Sequence, residues 1–459
     1  MKQVVQAFDR ALICEVPVDD ADALERKLVT AATLFADRAA RLKPHQRLAI
    51  LQRLEGLMYA QRDFLSRQIA REGGKPLADA KVEVTRAIDG VRCAAAALRT
   101  SGGQEIPMGL TAASSDRRAF TIQEPIGVVA GISAFNHPLN LIVHQVVPAV
   151  AAGCPIIIKP ASSTPLSCFS FVNLLHEAGL PPEWCQTFLP ASSDLAEVLV
   201  SDRRVAFVSF IGSGKVGWRL RSILAPGTRI ALEHGGSAPA IIDQAANLDH
   251  LIEPLVKGGY YHAGQVCVST QRIYVHQDLK TEFLKRFTAR VAALKVGDPL
   301  NEETEVGPMI TPAEADRVTE WIDEAVAGGA ELIGGGRLSH TTVVPSILVN
   351  PSVDSKVSTQ EVFGPTTCVY SYADLDQAIE AANSLPFAFQ ASIFTEHLRT
   401  ALYASERLDA STVMINDHTA FRTDWMPFGG RRESGYGIGG IPYTMRDLTQ
   451  EKLIVFRSS

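Results

Sequence analysis

From residue 21 to about residue 100 the apolar positions recur at helical spacing. Ile50, Leu54, Leu57 and Met58 fall at i, i+4, i+7 and i+8 and so gather on one helix face. The pattern predicts a helical N-terminal region entered almost at once. It stops at Ser101-Gly102-Gly103, and Gln104 to Pro125 then alternates as strand around the polar turn Ala113 to Asp116, which reads as an extended hairpin arm. From Gly127 short apolar runs take turns with helical segments: strand Val128 to Ile132, helix Leu141 to Ala152, strand Ile156 to Ile158, helix Val172 to Gly179, strand Val205 to Ile211, a helix from Trp218, and strand Ile230 to Leu232 ending at Glu233. Such alternation builds βαβ units in a parallel sheet. A second alternating region runs from about 250 to 430, so the fold class is α/β.

The 459 residues leave room for two or three domains, and 46% hydrophobic with 20% charged residues excludes a disordered or fibrous chain. Lys plus Arg number 44 against 50 Asp plus Glu, without a basic stripe, so nucleic acid is not an expected partner. Val143 to Ile158 is broken by Pro148 and Pro155 and falls short of the roughly 20 apolar residues of a membrane span. The N-terminus reaches Asp9 before a signal-like apolar core can form, and the expected location is the cytoplasm, with no membrane partner. Seven cysteines are scattered without C-x-x-C or zinc spacing, which disfavours disulfides and structural metal.

Two constellations carry chemistry. Gly212 to Gly217 matches G-x-G-x-x-G after an apolar strand and opens a helix whose N-terminal amides attract phosphate. Glu233 then lies roughly 20 residues on, where a dinucleotide fold places its ribose ligand. The competing reading starts at Cys267, which sits in the Gly-rich polar stretch Gly264-Gln265-Val266-Cys267 rather than on an apolar helix stripe.

Cys267 and Glu233 belong to an ordered series: Phe135-Asn136-His137-Pro138, Lys159-Pro160-Ala161, Phe210-Ile211-Gly212-Ser213, Glu233-His234-Gly235-Gly236, Gly264-Gln265-Val266-Cys267, Glu361-Val362-Phe363-Gly364-Pro365, and Pro427-Phe428-Gly429-Gly430 with Ser434-Gly435. From about residue 20 onward this series resembles the aldehyde dehydrogenase superfamily. The resemblance implies a Rossmann-like NAD(P)-binding domain (1–105 and 125–235), an α/β catalytic domain (236–432) and a small β oligomerisation arm (106–124 and 433–459). It makes Cys267 the nucleophile toward an aldehyde, Asn136 a donor to the oxyanion and Glu233 the base that activates water on a thioester, which displaces the ribose reading of Glu233. It places Lys159 and Ser162 near the adenosine ribose, Gly212 and Ser213 by the pyrophosphate, and Glu361 and Phe363 by the nicotinamide ribose and ring. The two arm edges pair between subunits in the family, implying a homodimer or homotetramer, although the chain reaches its first helices with less N-terminal strand than longer relatives.

Departures from the family pattern refine the expectation. Many NAD-using relatives carry Glu three residues after the Lys, where this chain has Ser162; with Lys215 nearby, this favours NADP over NAD as cofactor. His137, Arg272 and Arg422 resemble the lactaldehyde and phosphonoacetaldehyde dehydrogenase branch. Together they would form a mouth for a small anionic aldehyde bearing phosphonate, phosphate, sulfonate or carboxylate. A neutral hydroxyaldehyde is the alternative substrate; a CoA-acylating enzyme and a catalytically silent binding protein are rivals that Glu233 and the intact Cys267 disfavour. His262 stands where relatives often have Asn.

Overall fold

In the computed structural model, which describes residues 1–457, two large sheets organise the chain. The first has six strands in the order Gly435–Tyr436, Arg229–Glu233, Val205–Ile211, Val128–Ile132, Ile156–Lys159 and Cys185–Thr187, all parallel except the first, which runs antiparallel to Arg229–Glu233. Helices cover both faces. Val129, Ile156, Ile158 and Phe207 enter one core with the helices Pro44–Ala60, Leu77–Thr100 and Asn140–Ala152. Val128, Ala130, Ile157 and Val208 enter the opposite core with Leu24 and Leu28. Burial on both faces is why these strands read as unbroken apolar runs.

The second sheet has seven strands in the order Glu331–Gly334, Ser346–Val349, Thr366–Tyr372, Thr270–His276, Ala238–Ile242, Gln390–Phe394 and Thr412–Ile415, again parallel except for the first pair. Both sheets therefore match the α/β expectation. No described helix is long and apolar enough to cross a membrane.

Several boundaries differ from the sequence pattern. The helix expected from Trp218 begins at Gly214, so most of the Gly-rich motif is its first turn, and the helix expected at Val172 begins at Leu166. Lys2–Val5 and Leu12–Val16 form an antiparallel hairpin ahead of the first helix, which the sequence pattern did not reveal. The arm strand Arg117–Pro125 pairs along its whole length with Thr449–Arg457 of the same chain. The two edges expected to pair between subunits thus pair with each other within this chain; the outer edge of Thr449–Arg457 is open, and on the far side of Arg117–Pro125 the short strand Glu105–Ile106 covers only Ala119 and Phe120. Ahead of that strand, Gly435–Tyr436 joins the first sheet, and Ile441 and Met445 pack into its helical core, so the arm begins later than residue 433.

One buried ion pair positions the loop after Val128–Ile132. Lys75, fully buried, pairs with Glu83, whose other carboxylate oxygen accepts the amides of Leu139 and Asn140, each at 3.0 Å, at the start of the helix Asn140–Ala152. The preceding residues, Asn136 and His137, are thereby held. Glu83→Ala leaves the Lys75 ammonium buried and unpaired, and should cost about 3–5 kcal/mol. A lowered urea midpoint at unchanged slope is the expected readout; a loss below about 1 kcal/mol would show that the pair does not hold this corner.

Candidate active site

In the first sheet, successive strands run outward in one direction from Val128–Ile132 and in the other from Val205–Ile211. Crossovers diverge between these two strands and open a crevice at their C-terminal ends. A cleft of about 1020 Å³ lies there. Asn136, His137, Lys159, Ser162, Gly212, Ser213 and Glu233 line it from the first sheet, and Cys267, Glu361, Phe363, Arg422 and Phe428 from the second.

Cys267 follows a tight turn in which His262 (φ 50), Ala263 (φ 54) and Gly264 (φ 69) are all left-handed. Such backbone is costly outside glycine and persists only when its surroundings over-determine it. Gln265 supplies much of that restraint: its buried amide donates to the carbonyls of His262 (3.2 Å) and Pro308 (3.1 Å) and accepts from the N–H of Ile310 (2.9 Å). Asn136 Nδ2 donates to the Gln265 carbonyl at 3.0 Å, which brings its amide against the loop bearing the thiol. An amide nitrogen has two hydrogens, so one remains for a ligand.

Charge at this end is dominated by burial. It pushes the Cys267 thiol up to about 12, with Arg422 opposing and Glu233 and Glu361 reinforcing. Burial also raises the Glu233 carboxyl, again against Arg422, and lifts Glu361 to about 8 despite a 3.2 Å bond from the Gly236 N–H. His137 is held neutral by burial and then by the charge of Lys75. Arg422 is the compensating cation: its guanidinium lies 3.5 Å from the Phe428 ring centroid and donates to His144 Nδ1 at 3.3 Å, while its Nε is buried without an acceptor.

At the opposite end, Lys159 bonds only to the Pro160 carbonyl (3.3 Å), and its ammonium is disfavoured by burial and then by the neighbouring charge of Lys2. Lys2 comes from the N-terminal hairpin. The Ser213 hydroxyl makes no capping bond to the helix Gly214–Ser222, so the first-turn amides of that helix have no side-chain partner.

The aldehyde dehydrogenase family model matches residues 1–454. The chain belongs to that family. It is 33% identical over 453 residues to 3-sulfolactaldehyde dehydrogenase of Priestia aryabhattai, covering 99% of this chain and 94% of that protein. Among solved structures it is similar to aldehyde dehydrogenase 21 from Physcomitrella patens in complex with the reaction product succinate (TM-score 0.96, 34% identity, 100% of this chain and 95% of that one). It is also similar to glyceraldehyde-3-phosphate dehydrogenase from Methanocaldococcus jannaschii complexed with NADP (TM-score 0.95, 31% identity, 100% and 99%).

In this aldehyde dehydrogenase the cleft gathers every sequence-predicted site residue except one, and Lys215 with them. The exception is Arg272, which is 2% exposed and lies away from the cleft. Its guanidinium donates to the carbonyls of Ser237 (Nε, 3.0 Å), Ala381 (Nη1, 3.1 Å) and Ala382 (Nη2, 3.0 Å). The last two are carbonyls in the final turn of the helix Leu375–Asn383, whose negative end is a natural sink for a buried cation. Arg272 therefore joins helix to sheet and is not a substrate ligand.

Sequence reasoning missed Lys2, Arg86 and Tyr261, all of which line the cleft. For Arg86 a signal existed. Asp79, Glu83 and Arg86 fall at helical spacing beside the buried Leu77, Ala80, Val84 and Ala87, and charges on a core-facing stripe mark a site.

Because burial holds the thiol near 12, the thiolate of the free enzyme grows as pH rises. Alkylation of Cys267 by iodoacetamide, followed on its own peptide by mass spectrometry, should speed up by about tenfold per pH unit from 7 to 10. A plateau below pH 9 would contradict this. Arg422→Ala, which removes the one cation opposing the shift, should slow the reaction further.

Proposed function

We propose that the protein oxidises a small anionic aldehyde to its carboxylate with NADP, or less efficiently NAD. The observation that carries the substrate class is Arg422: a half-buried guanidinium in the cleft with no carboxylate bonded to it and a buried Nε without an acceptor. Glu233 lies close enough to influence this cation but does not bond to it, which leaves the guanidinium's donors for an anion that arrives with the substrate. The naming of one similar protein for sulfolactaldehyde, and the succinate in another, agree with phosphonate, phosphate, sulfonate or carboxylate as that group. His137 is neutral and adds a hydrogen bond rather than charge.

Cys267 attacks the aldehyde carbon as thiolate, forming a thiohemiacetal whose oxyanion is held by the free hydrogen of Asn136 Nδ2 and the Cys267 backbone N–H. NAD(P), held near Glu361 and Phe363, would supply the acceptor for the hydride that must leave this carbon to give the thioester. The remaining thioester is hydrolysed by a water whose proton passes to Glu233, and the carboxylate product departs as the thiolate is restored. Burial suits Glu233 to this task, since a raised pKa makes its carboxylate a stronger base.

The cleft's residues fit a dinucleotide phosphate. Lys2 and Lys159 lie at its far end without a carboxylate partner, beside Ser162, and the helix at Gly214 presents free amides for the pyrophosphate. Glu361 and Phe363 line the same cleft toward Cys267, where the nicotinamide ribose and ring would lie. Lys2 and Lys159 would share a 2'-phosphate.

Initial rates of cofactor reduction test the reading, with NAD and NADP against neutral, phosphonate, phosphate, sulfonate and carboxylate aldehydes and Cys267→Ala as the inactive control. Anionic aldehydes and NADP should give the higher kcat/KM. Ser162→Glu and Lys2→Gln should each lower kcat/KM for NADP, relative to NAD, by about tenfold to a hundredfold, the worth of a charge-assisted contact. Preference for neutral aldehydes would overturn the anion pocket, and preference for NAD the 2'-phosphate site.

We also propose self-association through the arm. Phe120, Leu453, Val455 and Phe456 stay exposed on its three-stranded sheet, and the outer edge of Thr449–Arg457 is unpaired. Light scattering should give a dimer or tetramer, and Leu453→Glu with Phe456→Glu should yield monomer; an unchanged mass would place the interface elsewhere.

A further inference from the structure

A chain of four side chains leads from the surface of the helix Leu77–Thr100 to Arg422, and the reaction described above uses only its last member. Arg86 grips Asp424 through Nη2 to Oδ1 (2.8 Å) and Nε to Oδ2 (3.2 Å). Asn140 Nδ2 adds a bond to Asp424 Oδ1 at 3.0 Å, and His144, one turn further along the same helix, meets that oxygen through Nε2 at 2.8 Å. The other ring nitrogen of His144 faces Arg422 Nη2 at 3.3 Å.

Hydrogen-bonding roles along this chain are forced. Arginine offers donors only, so His144 Nδ1 must accept; the ring is then the neutral Nε2–H tautomer and donates to Asp424, which as a carboxylate can only accept. The environment agrees. Burial, then the charge of Arg422, bring His144 down to about 4, while bonds from His144 and Arg86 outweigh burial to hold the Asp424 carboxyl well below the usual range.

The choice of partner matters more than the bond itself. A carboxylate beside Arg422 would orient it but cancel its charge. Glu233 and Asp424 are both close enough to influence Arg422, yet neither bonds to it, and Asp424 is saturated by Arg86, Asn140 and His144. A neutral imidazole on one side and the Phe428 ring on the other hold the guanidinium without neutralising it. Resting on the anionic-substrate reading above, we propose that His144, locked in one tautomer by the Arg86–Asp424 pair, is the positioning residue that aims Arg422, bonded to no carboxylate, at the anionic group of the substrate.

The readout is the ratio of kcat/KM for an anionic aldehyde to that for a neutral aldehyde of similar length, measured on the full-length enzyme. His144→Leu removes the acceptor and should lower the ratio about tenfold or more, chiefly through a higher KM for the anionic aldehyde. His144→Gln, whose amide can accept from Arg422 and donate to Asp424, should recover most of it. The double variant His144→Leu with Arg422→Ala should show a ratio no lower than Arg422→Ala alone, because His144 acts through Arg422. Should His144→Leu fail to fold, Asp424→Asn puts the same question by freeing the tautomer, with the same fall expected. A wild-type ratio in His144→Leu or Asp424→Asn, or additive losses in the double variant, overturns the positioning role. If Arg422→Ala alone leaves the ratio unchanged, the anion pocket itself fails, and the positioning role falls with it.

Discussion

Placing the half-buried Cys267, Glu233 and Glu361 around a single guanidinium sets the terms for everything else in the cleft. Each of the three acids is driven toward its neutral form by desolvation, and Arg422 is the charge that opposes this for Cys267 and Glu233. Cys267, Glu233 and Arg422, the proposed nucleophile, base and substrate anchor, consequently share one electrostatic balance. An anion entering beside Arg422 offsets the same charge that favours the thiolate, so substrate recognition and thiol reactivity are coupled through one side chain.

That balance depends on backbone held from both sheets. Glu83 and the buried Lys75 fix the start of the helix that follows Asn136, and Gln265 fixes the left-handed turn before Cys267. The Asn136 amide bridges the two at the Gln265 carbonyl. Asn136 and Cys267 are thus placed relative to one another by a bond that crosses from the first sheet to the loop of the second.

Strands such as Val128–Ile132 and Val205–Ile211 were legible because burial on both faces leaves uninterrupted apolar runs. Cys267, Asn136 and Glu233 were reached through the ordered series of motifs to which they belong, and the fold brings all three to one cleft. Arg272 was misread for a physical reason: proximity in sequence to Cys267 says nothing about direction once a strand begins, and this strand carries its guanidinium to a helix end. Lys2 was invisible because the hairpin that carries it is short and anchored by tertiary contacts. Val4 and Val16 pack on Leu189, and Asp19 bonds to the Leu189 amide at 2.8 Å.

The first sheet also draws on distant parts of the chain. Residues 236 to about 420 supply the second sheet in one continuous stretch, whereas Gly435–Tyr436 and the helix Ile441–Asp447 return to the first. During synthesis on the ribosome, the second domain can therefore close while the first still lacks an edge strand and part of its helical core. The half built on the first sheet remains open, with Val143 and its neighbours awaiting Ile441 and Met445, until translation has passed residue 448.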